Sequence, residues 1–233
     1  MGGDFINALT NWLKDGRHAL IVILVIGTVF TYWWLLQFRD RLRLNAFTAV
    51  PAALVHTAFG VLCVMSFAVL EVWDISAFGN LSIFGATFFM PILFFAFAKL
   101  GKRSAADVFD IGCVSMLFTL LCSRFNCLIS GCCYGISFFG SDTVLWPTRE
   151  LEIAFYAVLI TVLAIKTKRN QSRGRNYPIY MIAYGVFRFI LEWFRFYGGN
   201  SVIHRAHIWA VVSLCLGLSI LAEINTKQKK VRS

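Results

Sequence analysis

Residues 18–37 read HALIVILVIGTVFTYWWLLQ, twenty positions with no acidic, lysine or arginine side chain. About 20 apolar residues form one helix across the hydrocarbon core of a bilayer, so this stretch predicts a membrane span. Working outward, six more apolar runs follow, at Ala46–Leu70, Leu81–Ala98, Ala105–Ile129, Thr148–Ile165, Pro178–Phe194 and Ile208–Ile224. The runs are continuous, whereas strands of a membrane barrel alternate apolar and polar residues. The expected fold is therefore all-α: a single polytopic membrane domain with seven transmembrane helices over 18–225. A short interfacial segment over 1–17 precedes it, with Phe5, Ile6, Leu9, Trp12 and Leu13 on one helical face, and a basic tail over 226–233 follows.

Composition agrees. The chain has 233 residues, 58% hydrophobic and 15% charged, with a mean hydropathy of +0.70. Soluble domains carry about 45–50% apolar and about 25% charged residues. A soluble enzyme, a disordered chain and a nucleic-acid module are excluded, despite a formal charge of +10.

The basic residues set the expected orientation. Arg39, Arg41, Arg43, Lys99, Lys102, Arg103, Lys166, Lys168, Arg169, Arg173, Arg175, Lys227, Lys229, Lys230 and Arg232 fall on alternate connections, fifteen of 22. The other set holds Lys14, Arg17, Arg124, Arg149, Arg195 and Arg205, and Arg188 lies within a span. Lys and Arg concentrate on the cytoplasmic side, which places the N-terminus outside and the C-terminus in the cytoplasm.

An Arg at the centre of a membrane helix costs about 2.5–3.5 kcal/mol on insertion scales, so polar residues there are candidates for function. Tyr184, Arg188, Glu192 and Arg195 recur at i, i+4, i+8 and i+11, which at about 100° per residue puts them within roughly 80° of arc. Two Arg against one Glu leave a positive surplus suited to a lipid phosphate. An internally satisfied ladder is the alternative. Ser104 and Asp107 fit a helix cap, so Asp107 and Asp110 read as helix-start residues at the inner surface. Glu152 follows Pro147 at the head of the fifth span, where it complements the helix dipole or joins a site. His207, at the outer start of the seventh span, is an interfacial side chain or a base, and His56 is a weaker candidate.

Cys63, Cys113, Cys122 and Cys215 lie in apolar runs and read as small core residues. Cys127, Cys132 and Cys133 form a C-x4-C-C group next to Gly131, Tyr134 and Gly135. This is not a recognised zinc spacing, so no metal and no cofactor are expected. A Cys127–Cys132 disulfide, reactive thiols and packing in a glycine-bounded turn remain open.

These residues resemble the prolipoprotein diacylglyceryl transferase family. Its signature, approximately R-x-G-N-F-x-N-x-E-x-x-G, has the length of Arg124–Gly135, with the same first Arg and last Gly, and Gly131 and Tyr134 also fit. An Asp fourteen residues before that Arg matches Asp110. The motif H-P-S-Q-L-Y-E is similar to 146–152, sharing Pro147, a hydroxyl at Thr148 and Glu152. The pattern Y-x3-R-x3-E-x2-R is reproduced by Tyr184, Arg188, Glu192 and Arg195. Phe84 replaces the family's third-span His, Cys127 and Ser130 replace two Asn, Cys132 replaces the Glu, and His207 replaces a Gln. The resemblance covers residues 80–225; earlier residues match only in topology. The sequence thus looks like a divergent, cysteine-containing branch.

The resemblance implies a multi-pass protein of the bacterial cytoplasmic membrane with its active face outward. It implies transfer of diacylglycerol from phosphatidylglycerol, or another anionic phospholipid, to the cysteine thiol of a prolipoprotein signal region, with release of glycerol phosphate. Arg124, Arg188 and Arg195 would hold the phosphate beside Tyr184, with His207, or Glu192 through water, as base, or with the arginines alone lowering the thiol pKa. Two other readings of the residues remain: a membrane thiol–disulfide protein using Cys127, Cys132 and Cys133, and a noncatalytic relative that binds anionic lipid.

Overall fold

The computed structural model describes residue 11 and residues 16–137, 145–197 and 203–230. The residues expected to form an outer interfacial segment lie almost wholly outside the described ones. Eight α-helices are present among the described residues: α1 (Gly16–Gln37), α2 (Arg39–Leu42), α3 (Ala46–Val72), α4 (Ile83–Leu100), α5 (Ala105–Ser130), α6 (Thr148–Lys168), α7 (Asn176–Glu192) and α8 (Arg205–Lys230). The protein is all-α, and five helices are long and apolar enough to cross a membrane: α1, α3, α4, α5 and α8. The two other expected spans depart from that pattern for visible reasons. α6 carries Arg149, Glu150, Glu152, Lys166 and Lys168 in its 21 residues, and α7 has only 17 residues with Arg188 and Glu192 among them. The expected 226–230 tail is helical, as the end of α8.

Local chemistry sets the helix ends. Asn45 caps α3, its side chain accepting from the Thr48 N–H at 2.8 Å while Thr48 Oγ1 accepts from the Asn45 N–H at 3.1 Å. Ser104 caps α5 by accepting from the Asp107 N–H, as its sequence predicts. These bonds satisfy backbone donors that have no partner inside the helix.

α5 is the central element. Ile111, Cys113, Val114 and Leu117 are fully buried, and α5 packs on α1, α4, α6 and α7. A helix apolar on most sides belongs in the interior. Outer faces of α1, α4 and α8 expose Val29, Ile92, Phe95 and Leu218; Cys215 lies on this outer side, contrary to the expected core position. Cys63 and Cys113 are buried as expected. Because lipid tails are as apolar as Leu, interhelical hydrogen bonds and close packing hold such bundles. Trp34 Nε1 donates to the Ile111 carbonyl at 3.1 Å, and Tyr177 OH donates to the Thr87 carbonyl at 2.7 Å.

One end of the bundle is fastened by charge. Arg41 of α2 pairs with Asp107 and donates to the Thr167 carbonyl at the end of α6. Arg103 donates to the Leu42 carbonyl at 2.6 Å. Asp110 is fully buried and accepts from the N–H groups of Gly174 at 2.7 Å and Asn176 at 3.0 Å. It is therefore more than a helix-start residue: it anchors the entry to α7. The densest basic segments lie at this end. The ends of α3, α5 and α7 and the starts of α4, α6 and α8 meet at the other end, which holds the candidate site.

Candidate functional site

Three buried helix segments converge there. Glu152, on the first turns of α6, receives Arg188 Nη1 of α7 at 2.6 Å and Arg124 Nε of α5 at 3.2 Å. Arg188 Nε also pairs with Glu192 Oε2, one turn on, at 3.0 Å. All four side chains are buried. Desolvated charges persist only when paired, and this quartet is neutral: two guanidiniums, two carboxylates. The surplus expected from the stripe over 184–195 is left on Arg195, which lies outside the quartet. The role of Glu152 as a mere complement to the helix dipole is overturned, because it links the two arginines.

Arg195 is not on α7, which ends at Glu192. It sits in a short extended strip paired antiparallel with Gly135. The Ile136 N–H donates to the Phe194 carbonyl at 2.9 Å and the Phe196 N–H to the Tyr134 carbonyl at 3.1 Å. This clip ties the chain leaving α5 to the chain leaving α7. Tyr134 stacks on Phe196, and Trp146 packs on Phe194 with centroids 4.4 Å apart. A Cβ at Gly135 would stand 2.5 Å from the Trp146 carbonyl oxygen and 2.8 Å from that of Phe194. Gly135→Ala is expected to part the clip and destabilise the protein by about 1–3 kcal/mol, as overpacking does; thermal unfolding in detergent measures it, and an unchanged midpoint would refute this account.

The turn that begins the clip gathers the cysteines. Gly131 ends α5 with φ +69°, a left-handed conformation in which glycine carries no Cβ penalty. Cys133 follows with φ +61°, its carbonyl accepting from Thr148 Oγ1 at 3.0 Å. The sulfurs of Cys127, Cys132 and Cys133 lie within 4.8 Å of one another, and all three cysteines are free. The thiols of Cys127 and Cys132 donate to Cys133 and, with Arg195 and Arg124 nearby, hold its pKa well below the usual thiol range. Arg124 Nη1 stands 3.8 Å from Cys127 Sγ.

Arginines and cysteines share a cavity of about 860 Å³, lined by Arg124, Arg188, Arg195, Cys127, Cys132 and Cys133. Tyr184 and Phe84 complete its inner wall, rings 5.6 Å apart, and the buried Tyr184 hydroxyl has no hydrogen-bond partner among the described residues. Two residues that the sequence reading missed, His204 and Arg205, form the rim. His204 stacks on Tyr197 at 3.9 Å, and its place three residues before His207 was the available signal. His207 is buried against Trp193 and Phe189, with Nδ1 accepting from the His204 N–H at 3.1 Å. It does not line the cavity. Asp110 belongs to the opposite end, and His56 stacks on Phe94 away from the arginines.

The sequence is similar to those of known proteins. The family model described as prolipoprotein diacylglyceryl transferase matches residues 18–223. The chain belongs to the prolipoprotein diacylglyceryl transferase family. Phosphatidylglycerol–prolipoprotein diacylglyceryl transferase of Dehalococcoides mccartyi (strain CBDB1) is 19% identical over 234 residues, 90% of each chain. The enzyme of that name from Clostridium tetani is 24% identical over 153 residues, covering 59% of this chain and 61% of the relative. In Clostridium perfringens, phosphatidylglycerol–prolipoprotein diacylglyceryl transferase 2 is 31% identical over 85 residues, covering 31% and 33%. Within that family, this membrane protein is a divergent member. Its match extends well before residue 80, where the motifs alone show only topology.

Proposed function

We propose that the protein transfers a diacylglyceryl group from phosphatidylglycerol to a cysteine thiol of a prolipoprotein signal region. One observation carries this reading: Arg195 makes no ion pair among the described residues, yet faces the cavity beside Arg124 and Arg188. Guanidinium groups match phosphate geometry and stabilise the charge that develops on a departing phosphate. The thiolate attacks the carbon of the diacylglyceryl group that bears the phosphoester oxygen. The carbon–sulfur bond forms as the carbon–oxygen bond breaks, and glycerol phosphate leaves with the bonding pair. His204, on the rim, takes the thiol proton. Seven helices cross the membrane, α6 and α7 included, with the cavity outside and the basic end in the bacterial cytoplasm. The quartet makes α6 and α7 tolerable in lipid by pairing their charges.

The test uses purified protein, phosphatidylglycerol vesicles and a peptide with a signal-region cysteine. Expected are glycerol phosphate release, a thioether-linked peptide, and loss of rate in His204→Ala but not His207→Ala. Bound lipid without release for any thiol acceptor would support the noncatalytic alternative. Function that disappears in Cys127, Cys132 and Cys133 serine variants but survives in Arg195→Ala would support thiol–disulfide exchange.

A further inference from the structure

The turn after α5 assembles three sulfur donors whose sequence spacing gives no sign of a metal. Cys127 lies on the last turn of α5, and the left-handed residues Gly131 and Cys133 fold the chain back over it. The three Sγ atoms come within 4.8 Å of one another. Around an ion with metal–sulfur distances of about 2.3 Å, three sulfurs stand roughly 4 Å apart. Side-chain rotations of less than about an ångström therefore close the ring. Cys132 is exposed, so the cluster does not serve to fill a core.

The donor set specifies the ion. Among the described residues, no His or carboxylate joins the group, and Glu152 is committed to two arginines. Sulfur-only ligation suits Cu(I) and also zinc, but structural zinc takes four ligands and only three sulfurs gather here among the described residues. Three thiolates around one unit of positive charge leave two negative charges. Arg195, on the same cavity wall and without an ion pair among the described residues, offsets one, and Arg124, whose own charge is met by Glu152, places Nη1 3.8 Å from Cys127 Sγ.

We propose that Cys127, Cys132 and Cys133 form a three-thiolate site for one soft monovalent cation of the Cu(I) class, with Arg195 and the Nη1 of Arg124 beside the sulfurs. The site does not depend on the transferase reading.

The full-length protein, reduced and purified in detergent under nitrogen, is titrated with Cu(I) from a chelator of known affinity. One Cu(I) per chain is expected, with an ultraviolet thiolate-to-copper charge-transfer band and a three-sulfur shell by X-ray absorption. Cys132→Ser and Cys133→Ser, each checked for a monodisperse elution profile, are expected to weaken binding at least about tenfold and to lower the sulfur count. A Cys122→Ser/Cys215→Ser double variant keeps the site. Three results would each overturn the proposal: Cu(I) uptake unchanged in Cys132→Ser, displacement of Cu(I) by equimolar Zn(II), or a Cys127–Cys132 disulfide trapped by alkylation in native membranes.

Discussion

Glu152→Ala is expected to cost about 3–5 kcal/mol of stability, the range for removing one partner of a buried ion pair. Glu152 is 1% exposed and is the only carboxylate, among the described residues, that meets both Arg124 and Arg188. Without it, two buried guanidiniums from α5 and α7 face each other with Glu192 alone to offset them. Such a loss is a large share of the about 5–15 kcal/mol that stabilises a typical protein. Glu192→Ala should be milder, because Arg188 keeps its 2.6 Å contact to Glu152. Thermal unfolding in detergent, followed by intrinsic fluorescence, ranks the two variants. Equal midpoints for parent and Glu152→Ala would show that the quartet does not hold these helices together.

Arg195→Ala should have the opposite profile. It lies in the clip, outside the quartet, so the unfolding midpoint should stay near that of the parent. Glycerol phosphate release should fall about 10²–10³-fold, the usual loss when one group that stabilises developing charge is removed. Lysine at this position restores part of the rate, since it keeps the charge but not the fork of donors. Arg124→Ala and Arg188→Ala cannot make this test cleanly: each leaves a buried carboxylate short of a partner and disturbs fold and rate together. A parent-like rate in Arg195→Ala would remove Arg195 from phosphate binding.

The helices were legible because apolar runs of this length have few alternatives, and the ends of α5 fell within a residue of the expected bounds. The stripe on α7 was legible for a similar reason: helical periodicity puts Tyr184, Arg188 and Glu192 on one face, and all three are buried. The pattern failed at Arg195, which keeps the spacing after the helix has ended. Glu152 was harder to place. Its partners stand 28 residues before it and 36 after, and only tertiary packing brings them together. The cysteine cluster was hidden for a local reason, since C-x4-C-C becomes a ring of sulfurs only through the left-handed turn at Gly131 and Cys133. His204 and His207 stand three residues apart across the start of α8, and that step decides which imidazole meets the cavity and which meets Trp193.

The rim of the cavity is fastened unequally. On one side the clip joins the chain leaving α5 to the chain leaving α7 by paired backbone hydrogen bonds and stacked rings. On the other, the end of α3 and the start of α8 are linked by a bond from Arg205 Nη1 to the Glu71 carbonyl, at 2.6 Å in an exposed position. If the guest is the two-chained lipid proposed above, the rim is expected to yield first where it is held least, with the clip as hinge post and Arg205 as latch. On that reading the doorway to the bilayer would lie between α3 and α8, across the cavity from the arginines.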